Sequence, residues 1–213
     1  MREGYRQRLE ELHTELIRMG ALCEEAISRA VDGLFSGAPG LREHVSQLER
    51  DIDLKEREIE SMCVRLLIRE QPVAGDLRRI TAAQRMIGDM ERIGDQALDI
   101  AELSVRVSGA AAARDGHIAD MAKAASKMLT DSVDSFVGGD IDAARAVIAY
   151  DDIVDGLFSE IRDELTDQIS ANSAGAARCL DLLMIIKYLE RIGDHASNIA
   201  EWVIYSITGA RDG

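Results

Sequence analysis

Residues 90–102 read MERIGDQALDIAE, and residues 189–201 read LERIGDHASNIAE. The copies stand 99 residues apart in a chain of 213, close to half its length. Such spacing points to duplication of a whole unit, and the same order of elements flanks each copy. Upstream of the first, Leu9, Leu12, Leu16, Met19, Cys23, Ala26 and Ala30 recur at alternating steps of three and four, the pattern of a long amphipathic helix. Ser36, Gly37, Ala38, Pro39 and Gly40 interrupt it. A second helix is predicted over 41–69, with Val45, Leu48, Ile52, Ile59, Met62 and Leu66 on its buried stripe. The turn QPVAGD at 71–76 closes it, because proline disfavours helix in the residue before it. The third helix, 76–108, carries the first ERIGD. The second half repeats this plan with helices over 116–137 and 140–170, a Gly138-Gly139 break, a turn at 172–175 and a last helix ending near Gly209. Residues 110–113, with Gly109 and Gly116 around them, would link the halves. The expected architecture is all-α: two tandem, similar three-helix bundles over 1–110 and 111–213, with six long antiparallel helices.

Composition agrees. The chain is 46% hydrophobic, enough for a real core, and has only two prolines and 4% aromatics, which favours helix over sheet. Thirty-nine acids against 25 bases give a net charge of −14, which repels phosphate backbones and anionic lipids, so direct nucleic-acid binding is not expected. No stretch has the roughly 18 uncharged apolar residues of a spanning helix, and the N-terminus lacks the apolar core of a signal peptide, so a cytoplasmic location is expected. Cys23, Cys63 and Cys179 are distant from one another and sit in helical patterns, which reads as small core hydrophobes.

In each repeat a seam of apolar and small residues runs past a central glycine. Ala83, Ile87, Met90, Gly94, Ala97 and Ala101 match Leu182, Ile186, Leu189, Gly193, Ala196 and Ala200. Glycine inside a helix costs about 1 kcal/mol relative to alanine, so Gly94 and Gly193 are expected at close helix crossings.

Glu91, Asp95, Asp99 and Glu102 advance by four, four and three, placing them on one helix face; the second copy reads Glu190, Asp194, Asn198 and Glu201. Like charges at i, i+4 disfavour a helix by roughly 0.2–0.5 kcal/mol per pair. Arg92 and Arg191, pairing with Asp95 and Asp194, would offset this; so would a bound cation. Carboxylates without thiols suit hard or intermediate cations, which take six or more oxygens, so a neighbouring helix must contribute. Glu49 and Asp53 in the first half, and Asp151 and Asp155 in the second, are further i, i+4 acid pairs on the preceding helices. About seven such pairs arise by chance at this composition, so the repetition carries the signal, and a solvated acidic face stays open beside metal binding. No GxxxxGK[ST] phosphate loop, GxGxxG turn or GxSxG elbow is present, which argues against nucleotide and serine hydrolysis. A di-iron carboxylate bundle would need two Glu-x-x-His pairs, and only Glu10 with His13 exists. His13, His44 and His117 read as exposed or capping residues, and His195 as either these or a ligand.

The two copies of ERIGD with their downstream IAE, together with QPVAGDLR at 71–78, resemble the PhoU family of phosphate-specific transport accessory and regulatory proteins over nearly the whole chain. The resemblance implies two three-helix bundles and regulation rather than catalysis. It implies a negative regulator that signals plentiful phosphate through contact with the Pst transporter's ATPase subunit and a PhoR-type histidine kinase, reaching the membrane only through these partners, and a possible homodimer. It also implies metal clusters on D/ExxxD motifs, with Glu49 and Asp53 beside Glu91, Asp95 and Asp99, and Asp151 and Asp155 beside Glu190 and Asp194. The metal would be iron, or another divalent cation such as Mg²⁺, Mn²⁺, Ca²⁺ or Zn²⁺; no organic cofactor is implied. Because Asn198 stands at the position of Asp99, the first-half site is expected to bind more tightly.

The turn at 71–78 has two readings: Pro72 stopping one helix while Asp76 caps the next, or Asp76, Arg78 and Arg79 presenting a charged patch to a partner. Competing functional classes are a metal-dependent helical carboxylate enzyme, a metal store, or a PhoU-like adaptor for another transporter.

Overall fold

The computed structural model describes residues 3–107 and 116–210, so the expected link at 110–113 and the boundary at 110/111 lie outside the described residues. Six long α-helices follow one another: α1 (Glu3–Ser36), α2 (Leu41–Glu70), α3 (Gly75–Val107), α4 (Gly116–Gly138), α5 (Ile141–Ala171) and α6 (Ala176–Thr208). A 3₁₀ turn, Ser173–Gly175, separates the last two. The predicted boundaries agree with these to within a few residues.

The punctuation works as the residue types dictate. Gly37 (φ 61°) and Gly40 (φ 86°) take up left-handed backbone between α1 and α2, and Gly139 (φ 63°) does so between α4 and α5. Asp140 then caps α5, its carboxylate accepting the N–H groups of Asp142 and Ala143 at 3.0 Å. The turn after α2 is less relaxed: Gln71 (φ 47°) and Ala74 (φ 49°) both adopt left-handed backbone without being glycine, at a cost of roughly 1–2 kcal/mol each.

Helices α1, α2 and α3 pack on one another, as do α4, α5 and α6, giving the two three-helix bundles. The bundles join through α3 against α6 and, less extensively, α1 against α4. The α3/α6 pair is antiparallel: Asp89 meets His195, Arg106 approaches Asp181, and Arg78 at the start of α3 packs on Gly209 just past the end of α6. One apolar core runs through both halves, including Leu12, Leu16, Ile52, Met90, Phe136 and Leu189. All three cysteines are free and buried in it, and Cys23 Sγ–H donates to the Met90 carbonyl at 3.3 Å. On the α2 stripe Cys63 is fully buried while its neighbour Met62 is only partly so, one residue out of phase with the expectation. His13 is not exposed as expected: it is half-buried between the bundles, its ring edge-on to Phe136 at 5.7 Å, and burial followed by the nearby Arg79 charge holds its pKa below the usual value.

Both seam glycines lie at helix crossings. A methyl group on Gly94 would stand 3.0 Å from Ile52 Cδ1 and 3.3 Å from Ile52 Cγ2; one on Gly193 would stand 3.2 Å from Asp151 Oδ1 and 3.3 Å from Val154 Cγ1. α2 and α5 thus approach α3 and α6 so closely that a Cβ at either glycine would push its neighbours back by a few tenths of an ångström. Gly94→Ala should therefore lower stability by about 1 kcal/mol, since overpacking of roughly 1–3 kcal/mol outweighs the roughly 1 kcal/mol gain in helix propensity. In an Ile52→Val background, which removes the Cδ1 carbon, the same change should be neutral or stabilising; urea unfolding of the four-member mutant cycle measures this.

Candidate metal site on the acidic faces

The close crossings bring carboxylates of neighbouring helices together. In the first half Glu49 and Asp53 on α2 face Glu91 and Asp95 on α3, and all four are half-buried. Glu56, which sequence reasoning missed, joins them from α2; its position one turn beyond Asp53 was the available signal, but the second half offers Phe158 there on the α5 face and so no repeat drew notice. Every resolved shift in the group is upward. Burial raises Glu49, then Asp53 and Asp95 beside it; burial raises Glu91, then Asp95 and Glu56; burial raises Asp95, then Asp53, with Arg92 opposing. Partial dehydration and mutual repulsion disfavour the charged forms. Arg92 and Arg191 are exposed and close no ion pair with Asp95 or Asp194 among the described residues, whereas Arg57, one turn along α2, stands 3.7 Å from Asp53.

The second half is built alike but is more open. Asp151 and Glu190 are half-buried, while Asp155 and Asp194 are exposed. Lys187 pairs with Glu190 along α6. Asp151 is the most perturbed: burial, then Asp155 and Asp194, push its pKa up to about 6, and its Oδ1 is buried beside Gly193 with no hydrogen-bond partner.

Asp99 and Asn198 leave the stripes and face the opposite bundle. Asp99 lies beside the Tyr188 hydroxyl of α6, which partly offsets the upward pull of burial on its pKa. Asn198 Nδ2 donates to Asp89 of α3 at 3.4 Å, and His195 Nδ1 hydrogen-bonds the same Asp89 oxygen at 2.9 Å. The 99-residue repeat relates these contacts: positions 89 and 198 on one side correspond to 188 and 99 on the other. Asn198 for Asp99 is thus a difference between the bundles' shared interface contacts rather than the loss of a ligand from a stripe.

The stripe acids fit a cation in kind: oxygen donors from two helices, repelling one another, one of them an unpartnered buried oxygen. In ligand spacing they stand apart, for the His, Cys, Asp and Glu trio whose donor atoms lie within 4.8 Å of one another among the described residues is His117, Glu160 and Glu164. A cation at the stripes would draw the carboxylates inward by side-chain rotation.

At the 71–78 turn, Asp76, Arg78 and Arg79 are half-buried rather than displayed. Asp76 lies in the first turn of α3 beside the Tyr5 hydroxyl, Arg78 packs on Gly209, and Arg79 reaches Gly139. The large apolar residues that the turn exposes are Val73, 75% accessible, and Leu77, 44%.

Asp151 sets a pH dependence. Its folded pKa is raised, so the folded state holds a proton that the unfolded chain releases near 4, and the stability conferred by that proton is lost as pH rises through about 6. Asp151→Asn in the presence of EDTA should raise the melting temperature at pH 8 by about 2–4 °C, for roughly 1 kcal/mol after solvent screening, and leave it unchanged at pH 4. Differential scanning calorimetry at the two pH values checks the sign.

The chain matches the family profile described as the PhoU domain twice, over 16–104 and 118–203, one match per bundle. It is 34% identical to the phosphate-specific transport system accessory protein PhoU homolog of Pseudomonas aeruginosa over 97% of this chain and 86% of that protein. To the protein of the same description in Clostridium acetobutylicum it is 36% identical, over 98% and 96%. The crystal structure of PhoU from Pseudomonas aeruginosa superposes with a TM-score of 0.87 at 33% identity, covering 97% of this chain and all of that one. That of the phosphate transport system regulatory protein PhoU from Streptococcus pneumoniae gives 0.89 at 25% identity, over 98% and 99%. Duplicated ERIGD helices, twin three-helix bundles and a double profile match agree, and the chain belongs to the PhoU family.

Proposed function

We propose that this protein is a cytoplasmic negative regulator of phosphate uptake and of phosphate-starvation signalling, acting by protein contact rather than catalysis. The observation that carries the reading is the family match in both bundles, with full-length relatives described as phosphate-specific transport accessory proteins. Its partners are the ATPase subunit of a Pst-type phosphate transporter and a PhoR-type histidine kinase. No helix among the described residues is long and apolar enough to cross a membrane, which suits a regulator that reaches the membrane through partners. A net charge of −14 suits protein partners and not a promoter.

In this reading the stripes hold divalent cations, iron foremost, that screen the facing carboxylates and set the spacing of α2 from α3 and of α5 from α6. The first-half site binds more tightly. It has five half-buried carboxylates, with Arg57 3.7 Å from Asp53, whereas the second has two exposed acids and a lysine on Glu190. The turn at 71–78 is a contact surface through Val73 and Leu77, with Asp76, Arg78 and Arg79 fixing its shape from beneath. Two residues held in left-handed backbone there are strain of the kind that accumulates at functional segments.

A phosphate-starvation reporter tests the regulatory reading. In phosphate-rich medium deletion of the gene should switch the reporter on, and the wild-type gene should silence it; a reporter that stays silent on deletion overturns the reading. Rescue by Asp95→Asn with Asp194→Asn then reports on the stripes: silence without them shows regulation by contact alone. Leu77→Glu should weaken silencing while leaving the melting temperature within about 2 °C of wild type, as expected for an exposed position.

A further inference from the structure

We propose a separate transition-metal site, formed by His117, Glu160 and Glu164, that ties the first turn of α4 to the C-terminal half of α5. It is independent of the acidic stripes and of the regulatory reading. The nearest donor atoms of the three side chains all lie within 4.8 Å of one another. Glu160 and Glu164 stand at i, i+4 on one face of α5, where two like charges repel, and no lysine or arginine pairs with either among the described residues. The neighbouring Arg162 is occupied by Asp163, at 2.8 Å.

The side chain facing Glu164 is a histidine. His117 Nδ1 stands 3.3 Å from Glu164 Oε1, yet among the described residues the imidazole makes no hydrogen bond to either glutamate. His195 differs, with its Nδ1 in a 2.9 Å hydrogen bond to Asp89. A spacing of 3.3 Å is close to the edge of a metal polyhedron: ligands about 2.1 Å from Zn²⁺ lie about 3.4 Å apart in a tetrahedron. Buried Ile118, Ile161 and Leu165 anchor the backbone directly beneath the three ligands. Their exposed ends leave room for water at the remaining coordination positions.

The donor set defines the class of metal. One imidazole with two carboxylates suits Zn²⁺ and its neighbours Co²⁺, Ni²⁺ and Cu²⁺, whereas Mg²⁺ and Ca²⁺ prefer oxygen alone. An imidazole also separates this site from the stripes, whose donors are all carboxylates. Binding would neutralise a repulsive pair and fasten the start of the second bundle's first helix to its neighbour.

Titration calorimetry with Zn²⁺ in millimolar Mg²⁺, on the full chain, reads the site, and Cu²⁺ in place of Zn²⁺ supplies a paramagnetic probe that shows nitrogen hyperfine splitting. Wild type should bind Zn²⁺, with affinity falling by about tenfold or more in His117→Ala and in Glu160→Gln with Glu164→Gln. The Cu²⁺ nitrogen splitting from this site should vanish in His117→Ala and persist in Asp95→Asn with Asp194→Asn. Circular dichroism should show all three variants as folded as wild type. Zn²⁺ affinity that is unchanged in His117→Ala, or retained in the double glutamine variant, overturns the site. A Zn²⁺ class lost only in the stripe variant overturns it too while supporting the stripes, so the two proposals fail separately.

Discussion

The structure depends on two helix crossings made without a side chain. At Gly94 the Ile52 side chain fills the space a Cβ would need, and at Gly193 Val154 and Asp151 do the same. Close approach there lets Ala97, Ala101, Ala196 and Ala200 sit in a continuous core, so the seams of small residues gain in packing what glycine costs in helix propensity. The same approach has an electrostatic consequence. Glu49 and Asp53 are carried up to Glu91 and Asp95, and Asp151 up to Asp194, by packing that the apolar residues impose. The raised carboxylate pKa values follow from the crossing.

Helices α3 and α6 each serve three neighbours, and their faces divide the work. Isoleucines, alanines and glycine point into their own bundle, the stripe acids turn toward α2 or α5, and a third face meets the other bundle. On that third face polar groups are used sparingly but in matched places: Asp89 with His195 and Asn198, Asp99 with Tyr188. Partly buried polar pairs add little net stability, yet they specify register, because sliding α3 along α6 would strand them. The stripe and the interface lie on the same two rigid helices, about one turn apart along each. One helix in each bundle therefore carries both the stripe and the junction between bundles.

Much of this was legible from the chain. The duplication, the six helices and the crossing glycines all follow from periodicity and from a residue type, glycine, with a known cost in a helix. What escaped was which side of a helix each acid faces. Asp99 continues the i, i+4 series of Glu91 and Asp95, but a helix turns 3.6 residues per revolution, so a step of four advances the face by about 40° and two such steps carry it from α2 toward α6. Glu56 was missed for the converse reason, since it lies on the α2 face beside Asp53 yet has no acidic partner in the second copy. The charges of the 71–78 turn read as display because they are charges. The structure turns Arg78 and Arg79 inward to meet glycines just past the ends of α6 and α4, and leaves Val73 and Leu77 outside. The His117 trio joins residues more than forty positions apart and has no repeat, so neither spacing nor duplication could reveal it.

The acids differ across the molecule in how their charge is met. Many of the surface acids are paired: Glu15 with Lys55 and Arg18, Glu102 with Arg42, Asp131 with Lys127. At the crossings pairing is partial: Arg57 stands 3.7 Å from Asp53 and Lys187 pairs with Glu190, while Glu49, Glu91 and Asp95 close no ion pair among the described residues. Arg92 and Arg191 sit one residue beyond Glu91 and Glu190 but point to solvent, and Asp151 keeps an oxygen buried and unpartnered. Each crossing thus keeps one paired acid beside unpaired ones, where dehydration makes an unpaired carboxylate costly. The carboxylates left without a base repel one another across α2 and α3 and across α5 and α6, the same place in both copies of the repeat, and the glycine crossings hold them there.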